Sequence, residues 1–174
     1  MRTTYESIGT VNFQAIPDLA KDLFSKNYLL RKKAREELVE IGDPSLEILK
    51  DLANNGDQNA RWEAIITIVQ IGSNETLGVL LKALDDEEFS IRWLAAEGLA
   101  NLGKISLMPL LRKLRNNPDS GILRRGSFHV LRELMKKGIF KDEFNLINLL
   151  ADDYQHKNIS YEVDQTINSY SRLS

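Results

Sequence analysis

The stretch IRWLAAEGLANLG, from Ile91 to Gly103, decides the fold of this chain. Counted from Arg92, a small side chain follows three positions on and large aliphatic side chains follow at seven and ten. These positions share one face of a helix. Gly103 comes directly afterwards, where a left-handed C-cap can end a helix at low steric cost. The stretch therefore predicts an amphipathic helix that ends near Gly103.

This pattern occurs four times along the chain, at separations of 30, 31 and 32 residues. The four registers begin at Arg31, Arg61, Arg92 and Arg124. Gly42 and Gly72 end the first two, whereas the fourth passes Met135 to Gly138 and predicts a helix about a turn longer. A second set of apolar runs lies between the registers, joined to them by polar loops, which indicates a repeated helix-turn-helix unit.

One helical hairpin cannot cover its own apolar face, so successive hairpins must stack. The sequence predicts an all-α fold, a right-handed alpha solenoid of about five hairpins. Residues 1–15 are predicted to be an N-terminal arm or cap, and residues 16–174 a single repeat domain. The pairs are expected at about 16–42, 45–72, 75–103, 106–138 and 141–172. The second helix of the last pair lacks the arginine and is polar, which is typical of a terminal cap.

The stretches DEEFSIRWLAAEGLANLG and GDQNARWEAIITIVQIG resemble the HEAT repeat, in particular the short variety named after phycobilisome lyases. The resemblance extends over roughly Ile16 to Ser171. It implies that the arginine-bearing helices form the concave wall and the partner helices the convex wall. It also implies a structural ladder in which the register arginines reach acidic groups in the loops. Glu88 is an alternative to Asp86 in this ladder. The ladder consists of Arg31, Arg61, Arg92, Arg124, Asp57, Asp86 and Asp119.

Positions one, five and eight after each register arginine point away from the partner helix, toward the concave side. Two of them are tryptophans, and Trp and Arg often dominate binding surfaces. Neighbouring helices about 9 to 10 Å apart would allow the two indoles to form one continuous platform. The alternative is that both rings pack into the groove between repeats. The predicted partner-binding residues are Trp62, Trp93, Ile66, Glu97, Arg125, His129 and Arg132.

The net charge of −2 conceals a separation of sign along the chain. Residues 36–90, the acidic segment, contain 13 acids and 3 bases, and residues 104–141, the basic segment, contain 10 bases and 2 acids. An alternative function is therefore nucleic-acid binding, of the kind found in HEAT-like DNA-repair proteins. The bases expected to meet phosphates are Arg112, Lys113, Arg115, Arg124, Arg125, Arg132, Lys136 and Lys137. The acidic segment opposes this function, because a duplex-binding array is basic along most of its face.

The sequence contains few residues or motifs that indicate catalysis. The chain has no Cys, and its two histidines, His129 and His156, lack metal-ligand spacing. His129 facing Glu97 is the one acid-base pair that the registers bring together. We therefore predict no enzyme, no metal and no cofactor. The predicted function is a non-catalytic protein-protein interaction module that binds a protein or peptide on its concave face, in the cytoplasm and without a membrane. The resemblance leaves open a bilin lyase or chaperone-like role.

Overall fold

The computed structural model describes residues 13–151 and 159–171 of the chain. Within these residues there are ten α-helices and no strand. The helices are α1 (Ile16–Asp22), α2 (Tyr28–Ile41), α3 (Leu46–Asn55), α4 (Gln58–Ile71), α5 (Leu77–Ala83), α6 (Phe89–Leu102), α7 (Lys104–Asn116), α8 (Gly121–Lys136), α9 (Leu146–Ala151) and α10 (Ile159–Ser171). Residues 1–12, most of the predicted arm, lie outside the described residues, and so does His156. Phe13–Ala15 form a 3-10 turn that leads into α1.

The helices form two rows. Helices α2, α4, α6 and α8, which carry the register arginines, contact one another in succession. Helices α1, α3, α5 and α7 form the second row, and each contacts the helix that follows it in the chain. This stacking of hairpins confirms the predicted all-α solenoid, because the apolar face of each hairpin is covered by its neighbours.

Capping residues mark the ends of the arginine-bearing helices. The side chains of Asn27 and Asp57 accept hydrogen bonds from the first turns of α2 and α4, at 2.9 Å in each case. Gly72 follows α4 in the left-handed conformation, with φ of 66°. In the fourth register Met135 stands where Gly72 stands in the second. Helix α8 continues past Met135 to Lys136, and Gly138 then adopts a positive φ of 70°.

The core lies between the two rows, where the repeated positions meet. Large aliphatic side chains at position seven of the registers are fully buried: Leu38, Ile68, Leu99 and Leu131. Gly98 allows α6 to approach its neighbours closely. A Cβ atom there would lie 2.8 Å from a methyl of Val69 on α4 and 2.9 Å from one of Leu80 on α5. The spacing of the central hairpins therefore depends on this glycine.

The last pair of helices enters the array in reversed order. Helix α9 contacts α8 in the arginine-bearing row, and α10 contacts α7 in the other row. The pair predicted at about 141–172 therefore differs from the first four pairs, in which the second helix lies in the arginine-bearing row. Tyr170 of α10 fixes the arrangement, because its ring stacks on Phe140 at 6.2 Å and its hydroxyl accepts a hydrogen bond of 2.7 Å from the Lys141 amide.

Candidate functional site

Trp93 lies at the centre of an exposed aromatic cluster on α6. Its side chain is 47% exposed, and Phe89, one turn earlier, is 68% exposed. The two ring centroids lie 6.3 Å apart. On the other side, the His129 ring of α8 lies 4.3 Å from the indole, and His129 Nε2 is 2.7 Å from Glu97 Oε1. We call Phe89, Trp93, Glu97 and His129 the Trp93 cluster.

Trp62 has different surroundings. It is half-buried, packs against the core and lines a cleft of about 720 Å³ between the loop that precedes α2 and the start of α4. Among the residues that the structure describes, no ring contact joins Trp62 to Trp93. The prediction of one continuous indole platform is therefore wrong. The physical reason is that Trp93 rests on His129 of the following hairpin, whereas Trp62 faces the preceding one. Ile66, one turn after Trp62, is half-buried.

Two arginines flank the Trp93 cluster on α8. Arg132 is exposed, and its guanidinium lies 5.5 Å from the centroid of the Phe128 ring. Arg125 is also exposed. It occupies the same register position as Trp93, one repeat later. Along the solenoid the predicted binding face therefore begins with the half-buried Trp62 and Ile66 on α4. It continues with the Trp93 cluster and ends with the two arginines on α8.

Arg61 joins the second hairpin to the third. Its Nε donates to Asp86 Oδ2 at 2.8 Å and its Nη2 to Asp86 Oδ1 at 3.1 Å, so the contact is bidentate. Nη2 also donates to Glu87 Oε1 at 3.0 Å. The hydrogen bonds that Arg61 donates to the Asp86 carboxylate raise the pKa of Arg61 above its ordinary value.

The other ladder residues behave differently. Arg92 Nη1 donates to the backbone oxygens of Asp86 and Glu87, at 2.7 Å each, so it secures the loop of its own hairpin. Asp57 and Asp119 do not pair with register arginines as the predicted ladder required. The Asp57 side chain caps α4, and no ion pair joins Asp119 to another residue of the described ranges. Arg124 is buried in α8.

Sequence reasoning missed the ion pairs at the interface between the first two hairpins. Glu63 is 6% exposed, and its carboxylate lies 2.6 Å from Arg35 Nη1 and 3.2 Å from Arg31 Nε. Arg31 Nη1 also donates to the Ser25 carbonyl at 2.7 Å. The sequence signal that could have revealed these ion pairs is Glu63 itself, an acid two positions after Arg61 and next to residues that are otherwise apolar.

The basic segment does not form one cationic stripe, because many of its side chains already have partners. Lys113 lies 2.5 Å from Asp85, and Lys137 donates to the Ala100 carbonyl at 2.7 Å. Its bases are also divided between α7 in one row and α8 in the other. This distribution does not favour the predicted alternative of nucleic-acid binding, which needs unpaired cations along one surface.

Comparison with known proteins gives the class of this chain. The model of the HEAT repeats family matches residues 46–132, which is half of the chain. The chain therefore belongs to the HEAT-repeat family, and the resemblance drawn from its sequence is confirmed. No curated protein matches it.

Among solved structures, the chain is similar to one in the complex of CpcE and CpcF of phycocyanin lyase from Nostoc sp. PCC7120. The two chains are 23% identical, the match covers 89% of this chain and 99% of the other, and the TM-score is 0.61. At this identity the likeness shows the fold alone.

This likeness corrects the prediction that the chain is not an enzyme. The prediction relied on the lack of recognisable catalytic motifs. A chain of the same fold is nevertheless part of a lyase, so the lack of those motifs does not establish a non-catalytic protein. In the described part of the chain, no helix is long and apolar enough to cross a bilayer.

Proposed function

We propose that this protein binds a protein partner through the arginine-bearing row, with the Trp93 cluster as the principal contact. One observation carries the proposal: Trp93 is 47% exposed and yet is held between Phe89 and His129. A large exposed aromatic ring normally leaves much of its apolar surface in water at a cost. A partner that covers the Trp93 and Phe89 rings recovers that free energy.

The cluster is preorganised for binding. His129 stacks on the indole and is itself fixed by Glu97 at 2.7 Å. On the other side, the Arg92 guanidinium lies 5.7 Å from the Phe89 ring while it donates to two loop carbonyls. Rings that are already fixed lose little conformational entropy on binding, and rigid aromatic side chains are frequent hot spots.

The surroundings of the cluster define the partner's chemistry. Arg125 and Arg132 lie beyond it on α8, and the half-buried Ile66 lies before it on α4. A partner with an apolar anchor and a carboxylate on one side fits this order, since guanidinium groups pair well with carboxylates. We place this partner on the concave wall, the wall that the HEAT-repeat resemblance assigns to the arginine-bearing helices.

The similar solved structure adds support, because it is a complex of two chains. A curved array of stacked hairpins presents one extended surface without moving parts, which suits it to protein recognition.

The test is quantitative affinity capture from the native cell with tagged wild-type and Trp93→Ala proteins. We expect the partner to be recovered with the wild type and lost at least about tenfold with the variant, as hot-spot truncations cost about 2 kcal/mol or more. Tyr161→Ala is the matched control, because Tyr161 is 63% exposed on α10, outside the proposed face. Equal recovery with Trp93→Ala and wild type would falsify the proposal. Circular dichroism of each variant checks that the fold is retained.

A lyase-like role is the second candidate, favoured by the likeness to phycocyanin lyase over 89% of the chain. In this role a bilin would stack on the Trp93 indole, and the His129–Glu97 pair, at 2.7 Å, would be the acid-base group beside it. The test is titration with a linear tetrapyrrole, monitored by tryptophan fluorescence. Saturable quenching that Trp93→Ala abolishes supports this candidate, and the absence of quenching in the wild type excludes it.

A further inference from the structure

His129 joins the Trp93 ring to a carboxylate. Its ring centroid lies 4.3 Å from that of the indole, and its Nε2 lies 2.7 Å from Glu97 Oε1. An ionised carboxylate only accepts hydrogen bonds, so Nε2 is the donor of this contact. Nδ1 has no hydrogen-bond partner among the described residues and is the atom that can take up a second proton. Because the Nε2 donor exists in both protonation states, protonation changes the charge beside the indole while the contact with Glu97 is kept.

This charge changes within the physiological range of pH. Histidine is the side chain whose charge ordinarily changes between about pH 5 and pH 8. The side chains of His129 and Glu97 are 21% and 40% exposed, so water reaches both of them. Protonation converts a carboxylate beside a neutral ring into an ion pair, whose hydrogen bond is stronger. It also brings a cation to 4.3 Å from the indole centroid, within the range of cation-π attraction.

The other charges near His129 leave Glu97 as the carboxylate that it neutralises. On α6 the only other charged residue is Arg92, which is held by two loop carbonyls. On α8, Glu133 lies one turn after His129 and is 2.6 Å from Lys136. The hydrogen bond with Lys136 lowers the pKa of Glu133 below its ordinary value, and the charge of protonated His129 adds to this effect. Helix α9 carries no charge. The remaining charged residues of α7, of α8 and of the position after α8 are basic: Lys104, Arg112, Lys113, Arg115, Arg124, Arg125, Arg132 and Lys137.

A partner that covers the Trp93 cluster removes water from His129 and Glu97. At high pH the covered carboxylate lies beside a neutral ring, and a covered charge without a counter-charge is costly. It also repels the carboxylate that the proposed partner brings to Arg125 and Arg132, since like charges oppose association. At low pH the covered pair is neutral as a whole, so both costs are smaller. Association is therefore linked to the uptake of a proton.

We infer that protonation of His129 strengthens the binding of the partner at the Trp93 cluster, so that the affinity rises as the pH falls. This inference rests on the proposed function, because it concerns the regulation of the same cluster. The expected increase between about pH 8 and about pH 6 is roughly fivefold, the effect of one unit-charge contact in a well-solvated site.

The first test follows the charge beside Trp93 without any partner. In Trp62→Phe, Trp93 is the single tryptophan of the chain. A protonated imidazole quenches a neighbouring indole more than a neutral one, because it accepts an electron from the excited ring. We expect the emission to fall as the pH falls from about 8 to about 5, and His129→Gln to abolish this change. Trp93→Phe is the control, because the described part of the chain places no histidine ring against Trp62. The Hε1 resonance of His129 in the wild type reports the same titration without a change at Trp62.

The second test repeats the affinity capture at about pH 6 and about pH 8. The wild type should recover the partner more tightly at the lower pH, by the factor given above. His129→Gln keeps an N–H donor for Glu97 but does not titrate, so its two recoveries should be equal. Glu97→Gln removes the uncompensated carboxylate and should raise the recovery at pH 8, whereas loss of a purely structural contact would lower it. Glu47→Gln, an exposed acid on α3, should keep the wild-type ratio.

Three results overturn the inference: equal recovery by the wild type at both values of pH, an unchanged ratio in His129→Gln, or Trp93 emission that does not depend on pH. All three leave the proposed function intact as long as Trp93→Ala loses the partner. If Trp93→Ala recovers the partner as well as the wild type does, the proposed function fails and this inference fails with it. The capture by Trp93→Ala therefore distinguishes the two failures.

Discussion

Replacement of Glu63 by Gln tests what couples the first hairpin to the rest of the solenoid. The Glu63 side chain is 8% exposed and neutralises Arg35, 12% exposed, and Arg31, 30% exposed. Gln keeps the volume and one carbonyl acceptor but removes the negative charge. Both guanidinium groups then lie in a largely buried interface without a compensating carboxylate.

The magnitude follows from these contacts. A hydrogen bond to a charged group contributes about 1.5 to 3 kcal/mol. The 2.6 Å contact with Arg35 loses its charge assistance but retains an acceptor. The contribution of Arg31 must be discounted, because that side chain reaches solvent and also donates to the Ser25 carbonyl. We expect Glu63→Gln to lower the free energy of unfolding by about 2 kcal/mol, which lowers Tm by roughly 4 to 8 °C in a chain of this size.

Hydrogen exchange gives the more specific measurement. Each hairpin of a solenoid is stabilised mainly by its neighbours, so the loss should appear first as faster exchange in α1 and α2. Asp18→Asn is the control, since the Asp18–Lys21 pair is about four-fifths exposed and is worth under about 0.5 kcal/mol. If Glu63→Gln changes stability as little as the control, or if exchange in α1 and α2 is unaltered, the buried carboxylate does not couple the hairpins.

Three further outcomes are expected. Gly98→Ala should destabilise the protein by about 1 to 3 kcal/mol in urea unfolding, because the new Cβ overpacks side chains 2.8 and 2.9 Å away. Gly78→Ala, where nothing lies within 4 Å, should instead stabilise it by about 0.5 kcal/mol through helix propensity, and equal effects of the two would refute this account. Arg61→Lys should cost about 1 kcal/mol in the same assay, because an ammonium group cannot reproduce the bidentate contact with Asp86; no loss would show that the geometry is unimportant. A labelled duplex should show no salt-sensitive binding in fluorescence anisotropy at low ionic strength, and steep release by salt would restore the nucleic-acid hypothesis.

The sequence by itself determined the repeat and its helices. Residues on one face of a helix recur at fixed offsets, and burial of that face requires stacked hairpins, so the spacing of Leu38, Ile68, Leu99 and Leu131 was sufficient to predict the solenoid. Local caps are equally readable, because a glycine such as Gly72 acts within its own turn. Both kinds of signal depend on contacts that are close along the chain or repeated at a constant period.

Only the tertiary structure decided which side chains meet between hairpins. Trp62 and Trp93 occupy the same register position, yet the Trp93 ring rests on His129, whereas the half-buried Trp62 ring packs against the core. Glu63 binds Arg35, which lies 28 residues away in the chain. The reversed order of α9 and α10 is likewise a matter of packing. Such contacts depend on side-chain reach and on the relative rotation of neighbouring helices, and a period of about thirty residues does not specify either.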